Sequence, residues 1–154
     1  MKIFLGSDHR GYNLKEKIKR WLLEWGYQYE DFGAFKLDLK DDYPDFISKV
    51  AQKISRDPKN YKGIILGGSG QGEAILANKY KGVRAAVYYG GPDKIIKLSR
   101  EHNNANILSL GASFLKENTA RKIIKFWLKT KFSQSPRHQR RLGKIKKIEE
   151  KHFR

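Results

Sequence analysis

The sequence predicts an α/β fold: a five-stranded parallel sheet, doubly wound, with helices on both faces and a basic C-terminal helix. Three observations lead there. Short apolar runs alternate with segments of helical period along the whole chain, as crossover-connected parallel strands require. Glycine-rich turns follow several of those runs, most densely at Gly67-Gly68-Ser69-Gly70-Gln71-Gly72. Finally, 154 residues suit one hydrophobic core and are too few for two ordinary domains.

Each element has its own signal. Ile3-Phe4-Leu5 predicts a first strand, stopped by Gly6. Leu14, Ile18, Trp21, Leu22 and Trp25 make one stripe and predict a helix over 12–25. Gly26 stands just past its end, where glycine commonly closes a helix. Alternation over 27–32 predicts a second strand, and 33–43 reads as a polar loop. Pro44 suits the opening of a helix that runs to about residue 56, and Asp57-Pro58-Lys59-Asn60 is a turn. A third strand over 63–66 runs straight into the glycine loop, followed by a short helix over 73–80. A strand at 84–89, a helix at 93–102, a strand at 106–110 and a helix at 117–128 continue the alternation. A basic helix from 136 to about 151 closes it. No repeat, low-complexity tract or linker intervenes, so one Rossmann-like domain is expected over 1–154. Ligands of such folds bind beyond the carboxyl ends of the strands. That singles out 7–11, 33–43, 67–73, 89–93 and 111–113.

Composition narrows the function. With 39% hydrophobic residues the chain is not a disordered one, and with no cysteine it has no disulfide, thiolate metal site or cysteine nucleophile. No apolar run approaches the roughly 18 residues of a membrane helix, and the apolar start is too short for a secretory signal. A cytoplasmic location is expected. The formal charge of +17 is uneven: from residue 115 onward 14 basic residues face 3 acidic ones. A basic helix of this kind can hold nucleic acid by counterion release. It can equally be a solvated face on which two or three arginines serve a small anion. The second reading is preferred, and nucleic acid is not the expected partner. Histidines at 9, 102, 138 and 152 lack ligand-like spacing, so no metal is expected.

The glycine loop is the sharpest feature. Dense glycine lets backbone N–H groups crowd around an anion where a helix begins. It is not a P-loop, because no lysine follows until Lys79, and it is one residue short of the dinucleotide fingerprint. A hydrolase elbow at Ser69 would need glycine in place of Gln71. A tight turn without ligand is the plain alternative. Glu73 opens the next helix, either complementing its dipole or acting as a general base toward a ligand in the loop. Asp8-His9 ends the first strand, as a cap with a surface histidine or as a second ligand-edge pair. His102-Asn103 ends a helix, where histidine can simply complement the dipole. Arg137 and Arg141 share one helical face, suited to gripping a phosphate or to plain solvation.

Five motifs, in order and spacing, resemble the type B ribose-5-phosphate isomerases and the related galactose-6-phosphate isomerase subunits. They are Gly6-Ser7-Asp8-His9-Arg10-Gly11, Asp42-Tyr43-Pro44, the stretch 67–79, Ser99-Arg100-Glu101-His102-Asn103 and Arg137-His138-Gln139-Arg140-Arg141. The resemblance implies interconversion of aldose and ketose phosphates through an enediolate, without a cofactor. One branch of the family draws its base from a cysteine at the position of Gly67. The other uses a glutamate within Gly-Gly-Ser-Gly-x-Gly-Glu, which 67–73 matches, making Glu73 the implied base. Ser69 and the N–H groups of Gly70, Gln71 and Gly72 would stabilise the enediolate, with Gly68 in the same cradle. His102, helped by Asp8, would open the sugar ring, and Asn103 would hold a hydroxyl. His9, Arg137 and Arg141 would grip the phosphate, and Tyr43 would wall the sugar. Ser113 departs from the pattern, since members often carry an arginine there. Ribose 5-phosphate is the implied substrate; a hexose 6-phosphate, read through Tyr89-Gly90-Gly91-Pro92, and a non-catalytic binding module are the alternatives. The family's shared clefts imply a homodimer or a dimer of dimers.

Overall fold

The structure, a computed structural model, describes residues 1–153. Strands β1 (Lys2–Ser7), β2 (Gln28–Asp31), β3 (Lys62–Gly67), β4 (Ala85–Tyr88) and β5 (Ile107–Gly111) pair in parallel in the order β2-β1-β3-β5-β4. Helices α1 (His9–Glu24), α2 (Pro44–Arg56), α3 (Gln71–Ala77), α4 (Asp93–Glu101) and α5 (Glu117–Lys129) connect and cover them, and α6 (Pro136–His152) follows. This is the doubly wound α/β fold that the alternation predicts.

The two-residue period of the strands divides the core between two faces. Ile3, Leu5, Ile64, Leu66, Leu108 and Leu110 pack with Ile18, Trp21 and Leu22 of α1 and Ile123 and Trp127 of α5. Phe4, Ile65 and Ile107 point the other way, onto Ile47, Val50 and Ile54 of α2 and Ala77 of α3. Burying one such aliphatic side chain contributes about 1.5–3 kcal/mol. Because β2 and β3 flank β1 on opposite sides, the winding reverses between β1 and β3. A crevice opens at such a reversal, between the loop at Asp8-His9 and the glycine loop.

Element boundaries move where packing outweighs the local signal. Strand β1 runs on through Gly6, whose missing Cβ admits α2: a methyl there would lie 2.9 Å from Val50 Cγ2. Helix α1 begins at His9 rather than at 12, because Asp8 caps it, accepting from the N–H groups of Arg10 and Gly11 at 2.9 and 3.1 Å. Helix α3 starts two residues early and ends at Ala77. Asn78 then leaves the helix to bond both backbone groups of Ala85, at 2.8 and 3.1 Å. Helix α6 buries only His138.

Candidate active site

Glycines 67, 70 and 72 shape the floor of the crevice. Gly70 has a left-handed φ of 76°, and a Cβ on it would run into the Leu110 backbone at 2.9 Å. From beneath, Ser109 Oγ donates to the Gly70 carbonyl at 2.6 Å. The chain beyond β5 clamps the other side: Ala112 and Ser113 donate to the carbonyls of Gly67 and Gly68 at 2.9 and 3.1 Å. The turn is therefore braced by the sheet. Ser69 Oγ accepts from the Gln71 N–H at 3.3 Å. Gly72 lies against Tyr43, whose ring would contact a Cβ there at 2.9 Å, so the tyrosine forms a wall of the same space.

Glu73 is in the first turn of α3 and only 4% exposed. Its carboxylate folds back over Gly67, filling the volume that any side chain at 67 would enter. Burial pushes its pKa up from the ordinary value near 4.5; a backbone hydrogen bond opposes this, and the charge of Asp8 adds to the rise. A carboxylate raised in this way is a stronger base once ionised.

On the other flank, Asp8 spends one oxygen on the α1 cap. His9 is held by Asp41, a residue of the 33–43 loop that belongs to none of the local motifs. Carboxylate and ring atoms of Asp8, His9 and Asp41 all lie within 4.8 Å of one another. His9 and Asp41 bond each other, and Asp8 bonds the start of α1. Arg10 passes over Gly68, where a Cβ would meet its Cδ at 2.9 Å and Ser113 Oγ at 3.6 Å. A cation therefore stands beside Ser113 although residue 113 itself is uncharged. Tyr89 borders the same edge, packed on Gly111.

The remaining candidates gather elsewhere. Helix α4 runs back along the sheet, so its C-cap His102 lies where β5 begins, whereas Glu73 lies by Gly67, paired with the end of β5. Five strand residues separate these edges, roughly 16 Å at about 3.3 Å per residue. The ring of His102 stacks on His138, centroids 4.0 Å apart. Arg137 Nε donates to His138 Nε2 at 3.2 Å, which leaves the proton on Nδ1 to meet Ser133 Oγ at 2.9 Å. Burial, then the neighbouring His102, Arg137 and Arg141, pushes His138 down from its usual pKa, with Glu101 opposing. Asn103, Arg137 and Arg141 are exposed. One chain thus brings together Asp8, His9, Tyr43, residues 68–72 and Glu73, and separately His102, Arg137 and Arg141, with Asn103 next to His102.

A buried carboxylate beside a glycine cradle, at the switch point of a parallel sheet, suits an enzyme that moves protons on a small anion. The chain belongs to the Ribose/Galactose Isomerase family, whose model matches residues 3–145. It is 41% identical over 152 residues to ribose-5-phosphate isomerase B of Mycolicibacterium paratuberculosis, covering 99% of this chain and 94% of that protein. Among solved structures, ribose-5-phosphate isomerase B of Mycoplasma genitalium, with bound ribulose 5-phosphate, aligns with a TM-score of 0.92 and 39% identity. That alignment covers 97% of this chain and 96% of the other. The Clostridium thermocellum ribose-5-phosphate isomerase B aligns with a TM-score of 0.91 and 44% identity over 99% of both chains.

Proposed function

We propose that the protein is an aldose–ketose isomerase of sugar phosphates that interconverts ribose 5-phosphate and ribulose 5-phosphate. The observation that carries this is Glu73, buried and made more basic, facing the glycine cradle. Glu73 takes the proton from C2 of the open-chain aldose and returns one to C1, while a proton passes from O2 to O1 so that the ketose carbonyl forms at C2. Ser69 and the N–H groups of residues 70–72 hold the enediolate oxygens, where charge develops. His9 and Arg10 contribute to the anionic end of the site, and Tyr43 walls the sugar. Asp8 assists ring opening from beside Glu73.

We infer that His102, Asn103, Arg137 and Arg141 complete the site of a second copy, making the working unit a homodimer. The separation of these residues from Glu73 along the sheet supports this, because a pentose phosphate is shorter than roughly five strand residues. His102 then opens the sugar ring, Asn103 holds a hydroxyl and the two arginines grip the phosphate.

Turnover measured on ribose 5-phosphate, allose 6-phosphate and galactose 6-phosphate tests the reading. Preference for the pentose is expected. The family's breadth makes a hexose 6-phosphate the second reading, and exclusive turnover of a hexose would establish it. Activity on none of the three would overturn both.

A further inference from the structure

Asp41 stands 32 positions from His9 in the chain yet accepts two hydrogen bonds from it, both at Oδ1. The backbone N–H of His9 donates at 2.9 Å and Nδ1 approaches to 2.6 Å. The Asp41 side chain is 8% exposed, and its Oδ2 is buried without a partner among the described residues. A buried carboxylate oxygen left unpaired is costly, and such costs concentrate where a group serves a function. The backbone bond also ties the 33–43 loop to the first residue of α1, so loop and ring are placed together. No described protein group bonds Nε2 of His9, which leaves that nitrogen for a ligand.

We propose that Asp41 is the positioning residue of His9: its Oδ1 keeps the proton on Nδ1 and fixes the ring so that Nε2 serves the sugar phosphate. A carboxylate oxygen can only accept, so the imidazole nitrogen facing it must carry hydrogen. Second partners of this kind set tautomer and orientation wherever histidine binds a ligand. The proposal rests on the isomerase reading for the identity of the ligand, but its structural half does not.

The test combines ring-nitrogen NMR with kinetics on Asp41→Ala, Asp41→Asn, His9→Ala and the His9→Ala/Asp41→Ala double variant. In wild-type protein the His9 ring should show the Nδ1–H tautomer, and Asp41→Ala should lose it. KM for ribose 5-phosphate should rise about tenfold in Asp41→Ala, the scale of one hydrogen bond to a charged group, with kcat changed far less. Asp41→Asn, whose amide oxygen still accepts, should recover most of the loss. In KM the double variant should match His9→Ala, because Asp41 reaches the ligand through that ring; loss of its bond to the residue 9 N–H is read separately, as a lower melting temperature. An unchanged tautomer in Asp41→Ala, or losses that multiply in the double variant, would overturn the proposal. If wild-type protein turns over no sugar phosphate, the isomerase reading fails while the ring shifts still decide the role of Asp41.

Discussion

The carboxylate of Glu73 occupies the volume into which a side chain on Gly67 would project. Residues at the end of β3 and in the first turn of α3 thus compete for one space. Resemblance to a family with two branches, one with a cysteine at the first position and one with a glutamate at the second, gains a physical reason. A side chain at 67 and the Glu73 carboxylate in its present position claim the same space, so one must move if both are present.

Gly67→Ala should therefore act as a displaced-base variant. Gly67 is not among the residues with positive φ, so alanine meets no backbone penalty there. Its methyl must push the Glu73 carboxylate aside. A fall in kcat of the order of 10²–10⁴-fold, the range for losing a general base, is expected with a small change in KM. Steady-state kinetics on ribose 5-phosphate measure it; unchanged kcat would mean that the base is free to relocate.

Glu73 should also be a liability for stability. Its pKa is raised in the folded state, so the folded protein holds this proton more tightly than the unfolded chain. Stability is then full below the ordinary value near 4.5 and is lost as pH rises through the folded pKa. Glu73→Gln removes the buried charge. Its melting temperature should exceed that of wild type at neutral pH, and the gap should shrink as pH falls toward 4.5. Thermal melts across this range check both statements.

Arg137→Ala and Arg141→Ala should raise KM for a phosphorylated sugar far more than for an unphosphorylated one. A hydrogen bond to a charged group contributes about 1.5–3 kcal/mol, or roughly ten- to a hundredfold in affinity. Equal effects on the two substrates would assign these exposed arginines to solubility.

Placing His102 and Glu73 at opposite edges of one sheet leads to a complementation experiment. Glu73→Gln and His102→Ala proteins, each impaired, are mixed under conditions that exchange subunits. One site of a mixed dimer then carries both lesions, and the other is intact. Activity should exceed that of either parent after subtraction of the residual turnover of His102→Ala on spontaneously opened sugar. Confirmed exchange without a gain would place both residues in one chain's site.

Much of this was legible in the sequence, for reasons of range. The strand and helix periods, the proline opening α2 and the run of glycines over 67–72 are local signals, and the folded chain keeps them. Glu73 was legible as well, because its place three residues into α3 follows from the loop before it. Contacts between distant segments were not. Nothing local ties Asp41 to His9, and the overlap of Gly67 with Glu73 depends on how α3 leaves β3. Gly6 shows the opposite error: a glycine that looks like a strand end is there to admit Val50. The distance between His102 and Glu73 needed the strand order, which periodicity does not encode.

Whether Glu73 moves the proton is decided by the kinetics of Glu73→Gln on ribose 5-phosphate. Glutamine keeps the size and hydrogen bonding of the side chain and removes its basic lone pair. If Glu73 is the base, kcat should fall by something of the order of 10²–10⁴-fold with KM nearly unchanged. Turnover close to wild type would contradict it and assign the base to another residue.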